Sequence, residues 1–268
     1  MEILGLDIGG SGIKGAIVDT ESGKLLTDRY RIDTPEGAEP SDVAKSVHQI
    51  CQYFHYSGPV GVGFPAIVQH GIVLSAANVS KNWIGQNLNV LFSQETGNKI
   101  IGLNDADAAG IAEMKFGVGQ EYLKGVVILL TIGTGIGSAI FSDGVLVPNT
   151  EFGHMKIRGR DAEEWASDAI RQEKELSWKK WGERFNEILI TMEALFSPDL
   201  FVIGGGISKK FEKYIQYFTV QTKTMPALLL NQAGIVGAAI YAKEQSEQSG
   251  QDSPFSEFSK ITKYVQDI

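Results

Sequence analysis

The segment Asn104-Asp105-Ala106-Asp107 holds the side chains of this chain best suited to acid–base chemistry. It follows the apolar run 100–103 and precedes small residues, a pattern that predicts a strand ending at the start of a helix. A helix cap would explain one of the polar residues Asn104 and Asp105, but it explains the pair less well. Asp105 could take the proton of a hydroxyl that attacks a phosphoryl group, while Asn104 holds a neighbouring hydroxyl. Asp107 is expected to face solvent.

Three glycine-rich turns could hold phosphate groups. They are Gly9-Gly10-Ser11-Gly12, Gly133-Thr134-Gly135 after Thr131, and Gly204-Gly205-Gly206. Glycine lets backbone N–H groups converge on an anion with no side chain in the way. One Gly-x-Gly is common in ordinary turns, so the prediction depends on their arrangement, each at the end of an apolar run. We predict these residues, with Thr131, as phosphate-binding.

Two charged residues flank the first turn. Asp7 ends the preceding apolar run, and a carboxylate beside phosphate would be compensated by a hydrated Mg²⁺. Lys14 adds a positive charge to the phosphate site, although an exposed strand lysine explains it equally well. The pattern is not a Walker A loop, because no Gly-Lys-Ser/Thr follows. It is not a dinucleotide fingerprint either, because a second strand follows the glycines.

Glu151 and His154 lie three residues apart, after the second turn. At this spacing they could converge on one ligand with several hydroxyl groups. A structural role or a metal site would also use such a pair, but no cysteine follows and the chain has only 4 histidines. We therefore predict a sugar as the ligand.

The elements that position these residues repeat along the chain. The strand–turn–strand pattern of residues 3–19 recurs at 125–141, so that Asp7 aligns with Thr131 and Gly9 with Gly133. An offset of about 124 residues predicts duplication of one α/β unit rather than a solenoid of short repeats. We expect an N-terminal lobe of residues 1–108, a C-terminal lobe of residues 109–244 whose last helix packs back on the first lobe, and a polar, mobile tail of residues 245–268.

Helices are predicted between the strands. Ser41 could cap a helix with apolar residues Val43, Val47, Ile50 and Phe54, and a second helix covers 181–196. Residues 199–203 predict a buried strand that opens onto the third glycine turn, and a further helix is expected from Ser208.

Composition excludes several classes of function. The 268 residues are 43% hydrophobic, with a formal net charge of −8 and a pI of about 5.1, so no overall positive field attracts nucleic acid or anionic lipid. The single cysteine, Cys51, lies in an apolar run and is predicted to be a buried structural thiol. No apolar run approaches the roughly 20 residues that span a bilayer, so we expect a soluble, cytoplasmic protein.

Several segments together resemble the repressor, open-reading-frame and kinase (ROK) family over residues 3 to about 242. The broad match comprises residues 4–15, 103–110, 130–138 and 151–154, and a narrower match to the family's polyphosphate-using branch adds residues 63–68, 76–85, 198–208 and 233–239. The resemblance implies an α/β, two-lobed actin-like (ribonuclease H-like) ATPase and sugar kinase fold. Its duplicated βββαβα-type lobes would enclose the active-site cleft.

The resemblance also implies which residues act. Asp105 would be the catalytic base that prepares the 6-hydroxyl of glucose for phosphorylation. The implied glucose ligands are Gly63, Phe64, Pro65, Asn78, Asn104, Asp105, Glu151, His154 and Glu163. Because Glu164 is adjacent to Glu163, the register of that last assignment stays open.

The family pattern bears on the phosphoryl donor and on other partners. Many members carry a cysteine-rich zinc loop after the Gly-His pair, and this chain has no cysteine after Gly153-His154, so zinc is not expected. The resemblance favours polyphosphate with Mg²⁺, with ATP or dual use as the alternative. Basic residues that could line a polyphosphate path are Lys14, Lys81, Lys156, Arg158, Arg160, Lys209 and Lys210. Lys156, Arg158 and Arg160 would share one face if they lie on a strand, and a solvated edge strand explains them equally well.

Other functions stay open at this stage. A non-catalytic sugar sensor on the same scaffold would bind glucose without phosphate transfer, and a chaperone-like ATPase would need no sugar. The wider family also leaves a gluco/mannokinase possible. Because no helix-turn-helix precedes the first strand, DNA binding is not expected. Family likeness suggests a homodimer.

Overall fold

The first half of the chain builds a six-stranded sheet, in a computed structural model that describes residues 1–77 and 79–248. Its elements are β1 (Glu2–Gly9), β2 (Gly12–Asp19), β3 (Lys24–Leu25), β4 (Tyr30–Ile32), α1 (Pro40–Tyr53), β5 (Val60–Phe64), β6 (Val68–Gln69), β7 (Ile72–Val73), α2 (Leu88–Thr96) and β8 (Ile100–Asn104). The strand order is β3-β2-β1-β5-β8, and β4 also pairs with β2. β1 is antiparallel to β2 and parallel to β5, while β6 and β7 form a separate hairpin.

The second half builds a five-stranded sheet on the same plan. Its elements are α3 (Asp105–Phe116), β9 (Val126–Ile132), β10 (Ile136–Ser142), β11 (Val145–Val147), β12 (Lys156–Ile157), β13 (Arg160–Asp161), α4 (Ala162–Ala166), α5 (Asp168–Glu173), α6 (Trp178–Phe196), β14 (Leu200–Gly205), β15 (Lys223–Pro226) and α7 (Ala233–Gln248). The order β11-β10-β9-β14-β15, with β9 antiparallel to β10 and parallel to β14, repeats the first sheet. The duplication predicted from the glycine turns is therefore confirmed.

Helices α3 and α7 pack tightly together and connect the sheets. A Cβ on Gly237 of α7 would lie 1.6 Å from the carbonyl oxygen of Ala108 in α3, so only glycine permits this approach. α7 also covers β1 and β5, while α3 contacts β5 and β8 of the first sheet and β9 and β10 of the second. The lobe boundary predicted after residue 108 falls within α3. Asp105, the first residue of α3, is thus held by contacts to both sheets.

The two long amphipathic helices occur where their apolar spacing predicts them. Val43, Val47 and Ile50 of α1 are fully buried, and α6 buries Trp181 and Phe185. The predicted cap of α1 is wrong, because the helix begins at Pro40 with Glu39 at the N-cap, and Ser41 lies inside the first turn. Proline suits the first helical position, where its missing N–H costs no hydrogen bond.

Two local predictions after residue 154 are wrong. Lys156, Arg158 and Arg160 do not share a strand, because β12 and β13 form a tight hairpin. Arg158 (φ 51°) and Gly159 (φ 82°) occupy its turn, and positive φ at both positions is the geometry of a two-residue hairpin loop. The helix expected from Ser208 is instead an irregular 3₁₀ segment, Gly206–Lys213.

The remaining predictions concern the thiol, the membrane and the tail. Cys51 is buried as predicted, and burial raises the pKa of its thiol to about 11. Within residues 1–77 and 79–248, no helix is both long and apolar enough to cross a membrane. α7 runs to Gln248, four residues into the predicted tail, and residues 249–268 lie outside the described part of the chain.

Candidate active site

A cavity of about 630 Å³ opens between the sheets where β1, β8, β9 and β14 end. The predicted residues that line it are Gly9, Gly10, Ser11, Pro65, Asn104, Asp105, Thr131, Gly133, Thr134, Gly135, Glu151, His154, Glu163, Gly205 and Gly206. All three glycine turns therefore face the same space as the predicted sugar ligands. At the third turn, Gly205 has φ 77°, and a Cβ there would lie 2.3 Å from the carbonyl oxygen of Ile132, so this turn closely approaches the second.

A smaller cavity of about 180 Å³ adjoins the first and separates some residues that the sequence had grouped together. Asp7, Lys14 and Gly204 line only this smaller space. Asp105, Thr131 and Gly205 line both cavities. The predicted base, Asp105, thus lies where the two spaces meet.

Asn104 is the cap of α3. Its Oδ1 accepts the N–H groups of Ala106 at 2.8 Å and Asp107 at 3.0 Å, while Nδ2 donates to the carbonyl oxygen of Ala66 at 3.1 Å. The capping explanation therefore holds for Asn104, and one amide hydrogen is left without a partner among the described residues. Asp105 is not needed as the cap, because Asn104 already satisfies the first N–H groups of the helix.

The environment of Asp105 favours its protonated form. Burial raises the pKa of Asp105 to about 7, and the nearby carboxylates of Asp7, Glu151 and Asp107 add to this effect. The N–H of Ala106, which Asp105 Oδ1 accepts at 2.8 Å, opposes the rise. A pKa near neutral pH is well matched to a group that must accept a proton during the reaction.

Asp107 does not face solvent, and that prediction is wrong. Its side chain is only 1% exposed, and Oδ2 accepts the backbone N–H of Asn149 at 2.8 Å. Burial raises the pKa of Asp107 to about 7. Its partner lies 42 positions further along the chain, so the local pattern could not reveal this contact.

Glu151 and His154 converge on the large cavity, and a 3₁₀ turn, Phe152–His154, connects them. The backbone around Glu151 is held by Ser138 of β10, whose Oγ donates to the carbonyl oxygen of Thr150 at 2.7 Å and accepts the N–H of Phe152 at 3.0 Å. Burial raises the pKa of Glu151. The nearby His154 opposes this rise, and the carboxylate of Glu163 adds to it. His154 Nδ1 donates to Asp161 Oδ2 at 3.1 Å, so Nε2 is the ring atom left for a ligand.

Glu163, rather than Glu164, faces the cavity. Its Oε2 accepts the N–H of Ile136 at 3.3 Å, and a Cβ on Gly135 would lie 2.5 Å from the same oxygen. Glu164 is exposed and lines neither cavity. Of the two glutamates between which the sequence left the choice open, Glu163 is therefore the one at the cavity. Its carboxylate lies directly against the second glycine turn.

The first glycine turn carries a cation that sequence reasoning missed. Arg31 of β4 donates to the carbonyl oxygen of Ser11 at 2.6 Å, and a Cβ on Gly12 would lie 2.6 Å from its guanidinium group. The signal was the alternation Arg29-Tyr30-Arg31-Ile32, which is typical of a strand with both arginines on one face. Ser138 and Asn149 were missed as well, because polar residues next to a motif carry no spacing signal.

Four predicted ligands lie off the cavity lining or outside the described residues. Phe64 is fully buried in the core, with its ring 4.6 Å from that of Trp83, so its side chain does not line the cavity, and the role of the Gly63-Phe64-Pro65 turn in glucose binding stays a prediction. Gly63 and Gly12 line neither cavity. Asn78 lies outside the described residues.

The basic residues predicted for a polyphosphate path divide into paired and unpaired groups. Lys156 forms an ion pair with Asp161, Arg158 donates to Glu187 at 2.7 Å, and Arg160 lies over the ring of Trp165. Lys14 lies 3.6 Å from Asp7. In contrast, the exposed residues Lys81, Lys209 and Lys210 have no ion pair with any described residue, and the last two follow the third glycine turn after Ile207 and Ser208.

The residues present fit a hydrated magnesium ion. Residues 1–77 and 79–248 contain no cluster of three His, Cys, Asp or Glu side chains that could hold a metal by themselves. Mg²⁺, however, commonly binds through one or two carboxylates together with water and substrate phosphates. Asp7 and Asp105 line the same small cavity, and the charge of Asp7 raises the pKa of Asp105. Two carboxylates whose negative charges repel each other would suit a hydrated divalent cation that also contacts the donor phosphates.

Comparison with known proteins identifies sugar kinases of similar sequence and fold. The polyphosphate glucokinase of Mycobacterium tuberculosis is 46% identical over 237 residues, which cover 88% of this chain and 89% of that protein. The glucokinase of Thermotoga maritima is 25% identical over 315 residues, covering 91% and 98%. The crystal structure of an inorganic polyphosphate/ATP-glucomannokinase from Arthrobacter sp. strain KM matches with a TM-score of 0.88 and 46% identity, covering 91% of this chain and 99% of that one.

These likenesses confirm the predicted fold, the two-lobed actin-like fold of ROK sugar kinases. A ROK-family glucokinase from Streptomyces griseus, crystallised with glucose and AMPPNP, shares the fold with a TM-score of 0.76 at 24% identity. The ROK family profile matches residues 3–167. The resemblance predicted from the motifs is therefore confirmed, and the chain belongs to the ROK family.

Proposed function

We propose that this chain is a glucokinase that transfers a phosphoryl group from inorganic polyphosphate to the 6-hydroxyl of glucose, giving glucose 6-phosphate. The position of Asp105 supports this most directly, because it lines the same cavity as the glycine turns and the carboxylates Glu151 and Glu163. A general base, anion-binding turns and hydroxyl acceptors are what phosphoryl transfer to a sugar requires.

The sugar occupies the end of the cavity near residues 151–163. Glu151 and Glu163 accept hydrogen bonds from sugar hydroxyls, His154 presents Nε2, and Asn104 donates its remaining amide hydrogen. These directed contacts fix the 6-hydroxyl next to Asp105. Asp105 takes the proton of this hydroxyl while the hydroxyl oxygen forms a bond to the terminal phosphorus of polyphosphate. The bond from that phosphorus to the rest of the donor breaks, and the shortened polyphosphate leaves.

The donor phosphates lie against the glycine turns. Gly9–Ser11 and Gly133–Gly135 line the cavity, and Arg31 places a positive charge beside the first turn. When bound through water at Asp7, Mg²⁺ would neutralise charge on the donor phosphates. The protein itself positions both substrates and excludes water from the reacting groups.

Polyphosphate is favoured as donor by the names of two relatives and by local charge. Both relatives that are 46% identical are named for polyphosphate use. Lys209 and Lys210 lie a few residues after the third glycine turn as exposed cations with no ion pair among the described residues, which suits a long polyanion. The second relative is also named for ATP and for mannose, so a dual-donor gluco/mannokinase is the second candidate.

The direct test measures glucose 6-phosphate formation with pure polyphosphate and pure ATP side by side, using glucose and mannose as acceptors. The proposal predicts a higher kcat/KM with polyphosphate and glucose. Comparable rates with ATP would select the dual-donor candidate. If neither donor yields a sugar phosphate while glucose still stabilises the protein, the sugar-sensor hypothesis replaces the kinase.

The lysine pair after the third turn gives a first mutational prediction. The double variant Lys209→Ala/Lys210→Ala should raise the KM for long-chain polyphosphate by about three- to tenfold, because two exposed positive charges near the third glycine turn are lost. The KM for glucose should not change. Lys179→Ala/Lys180→Ala, on the exposed face of α6, is the matched control. Equal effects of both double variants would show that only overall charge matters.

The remaining expectations are finer than the family assignment. We propose that the enzyme acts as a homodimer in the cytoplasm, without nucleic-acid or membrane partners. Sedimentation equilibrium tests the dimer, and a monomer that retains full activity would contradict it.

A further inference from the structure

Asp107 is a buried carboxylate that the proposed reaction does not use. It is 1% exposed and lines neither cavity. Oδ2 accepts the N–H of Asn149 at 2.8 Å, while the equally buried Oδ1 has no hydrogen-bond partner among the described residues. Burying such a group is costly, so its retention beside Asp105 needs an explanation.

Asn149, the partner of Asp107, joins the two halves of the molecule. Its Oδ1 accepts the N–H of Val68 at 2.8 Å, and its Nδ2 donates to the carbonyl oxygen of Val68 at 3.0 Å. The side chain thus pairs with β6 of the first half as a neighbouring strand would. Asn149 has φ 59°, a left-handed conformation that asparagine adopts more readily than most residues.

These bonds fix two walls of the sugar end of the cavity. On one side, Glu151 follows Asn149 by two residues, and Ser138 anchors the backbone on the far side of Thr150. On the other side, Val68 is adjacent to Ile67, which lines the cavity. The Asp107–Asn149–Val68 set, which we term the clasp, therefore connects the Glu151 wall to the Pro65–Ile67 wall.

We propose that Asp107 is a positioning residue that acts through Asn149 to hold Glu151 at the distance that glucose requires. The inference rests on the proposed sugar kinase function and adds to it two residues that touch no substrate. A wall held before glucose arrives lowers the cost of ordering the site on binding. The clasp therefore sets glucose affinity, and Asp105 carries the chemical step.

A purely structural role makes a different prediction, and the chain offers a matched control. Asn186 of α6 is 8% exposed and bridges Thr219 in a similar way, donating from Nδ2 at 2.9 Å and accepting a backbone N–H at 2.8 Å. It lines neither cavity. Removing it should lower thermal stability without changing glucose binding.

The experiment measures glucose affinity by calorimetry, together with kcat and the KM for glucose, in the full chain. Asp107→Ala and Asn149→Ala should each weaken glucose binding and raise KM by about tenfold or more, corresponding to the loss of one well-placed contact, with kcat within about threefold. Asp107→Asn retains an acceptor for the Asn149 N–H and should restore affinity to within about threefold of the wild type. Asn186→Ala should leave both constants unchanged.

A double-mutant cycle tests whether the effect passes through Glu151. In a Glu151→Gln background, Asp107→Ala should weaken glucose binding by less than about twofold further, because the two changes remove the same interaction. Additive effects, or wild-type affinity in both Asp107→Ala and Asn149→Ala, would overturn the inference. If Asp107→Ala does not fold, Asn149→Ala decides. If the wild type neither binds nor phosphorylates glucose, the proposed function itself has failed.

Discussion

The two duplicated glycine turns differ by one residue. In the first, Gly9 pairs with Gly12 across a two-residue loop, whereas in the second Ile132 pairs with Ile136 across a three-residue loop. This changes which residues lie opposite each other. Asp7 pairs with Lys14, while the equivalent Thr131 pairs with Gly137. A Cβ added to Gly137 would lie 2.5 Å from the hydroxyl oxygen of Thr131.

The charges around the turns differ in the same way. The first turn has Arg31 on the carbonyl of Ser11 and Lys14 beside Asp7, whereas the second has the carboxylate of Glu163 on the N–H of Ile136. The first hairpin thus carries two cations that each lie beside a carboxylate, Arg31 beside Asp33 and Lys14 beside Asp7, whereas the second carries the carboxylate of Glu163. From this difference we propose that the first turn mainly serves phosphate and that the second also serves the sugar.

The largest expected effect comes from the residue between the turns. Asp105→Asn keeps the shape of the side chain but cannot accept the proton, so kcat should fall by at least about a thousandfold. Glucose affinity, measured by calorimetry, should stay within about threefold. Asp42→Asn on α1, away from both cavities, is the control. Near-normal turnover of Asp105→Asn would remove Asp105 as the base.

The second turn should respond through the sugar. Glu163→Ala removes a carboxylate that lies against the second turn and would accept a hydrogen bond from the sugar, so the KM for glucose should rise by about ten- to a hundredfold while the KM for polyphosphate changes little. Steady-state kinetics with each substrate varied in turn gives both constants. The exposed neighbour of Glu163 provides the control, because Glu164→Ala should behave as the wild type. A larger change in the polyphosphate constant would contradict the division between the turns.

The first turn should respond through the donor, and more weakly. Arg31 is 48% exposed and shares its charge with Asp33 at 2.5 Å, so Arg31→Ala should raise the KM for polyphosphate by only about three- to fivefold. Added salt should reduce the difference from the wild type. The control Lys45→Ala, on α1, should show neither effect. If the glucose constant changes instead, Arg31 does not belong to the donor site.

The smallest effect is on stability. The pKa of Asp105 is about 7 in the folded protein and 3.8 for the free residue, so the folded state binds more protons between these values. Stability contributed by this group is therefore lost as pH rises from about 4 to 7. Asp105→Asn should melt a few degrees above the wild type at pH 8 and at the same temperature near pH 4. Calorimetric melting across this range tests it, and a constant difference would contradict the raised pKa.

The sequence predicted the parts of the site that are local. An apolar run followed by Asn104 and Asp105 predicted a strand that ends at the start of a helix, and the repeat linking Asp7 to Thr131 predicted the duplicated α/β unit. Contacts between distant segments were not predictable. Arg31 lies 20 positions from Ser11, and Asp107 lies 42 positions from Asn149. Contacts over such separations leave no periodic pattern in the sequence.

Other errors came from patterns with two physical meanings. All five residues of β5 are buried, because both faces of this parallel strand are covered, so alternation could not show that Phe64 points into the core. The alternating Lys156, Arg158 and Arg160 fit a strand as well as a hairpin, and Arg158-Gly159 is a weaker turn signal than Asn-Gly.

The placement of α7 has a consequence for synthesis of the chain. This helix is the last element described, yet it covers β1 and β5, and a Cβ on Gly61 of β5 would lie 1.9 Å from the carbonyl oxygen of Ala238. The face of the first sheet that α7 covers therefore remains exposed on a ribosome until the whole second sheet has been made. We expect the N-terminal half to complete its folding only after the second half has been synthesised.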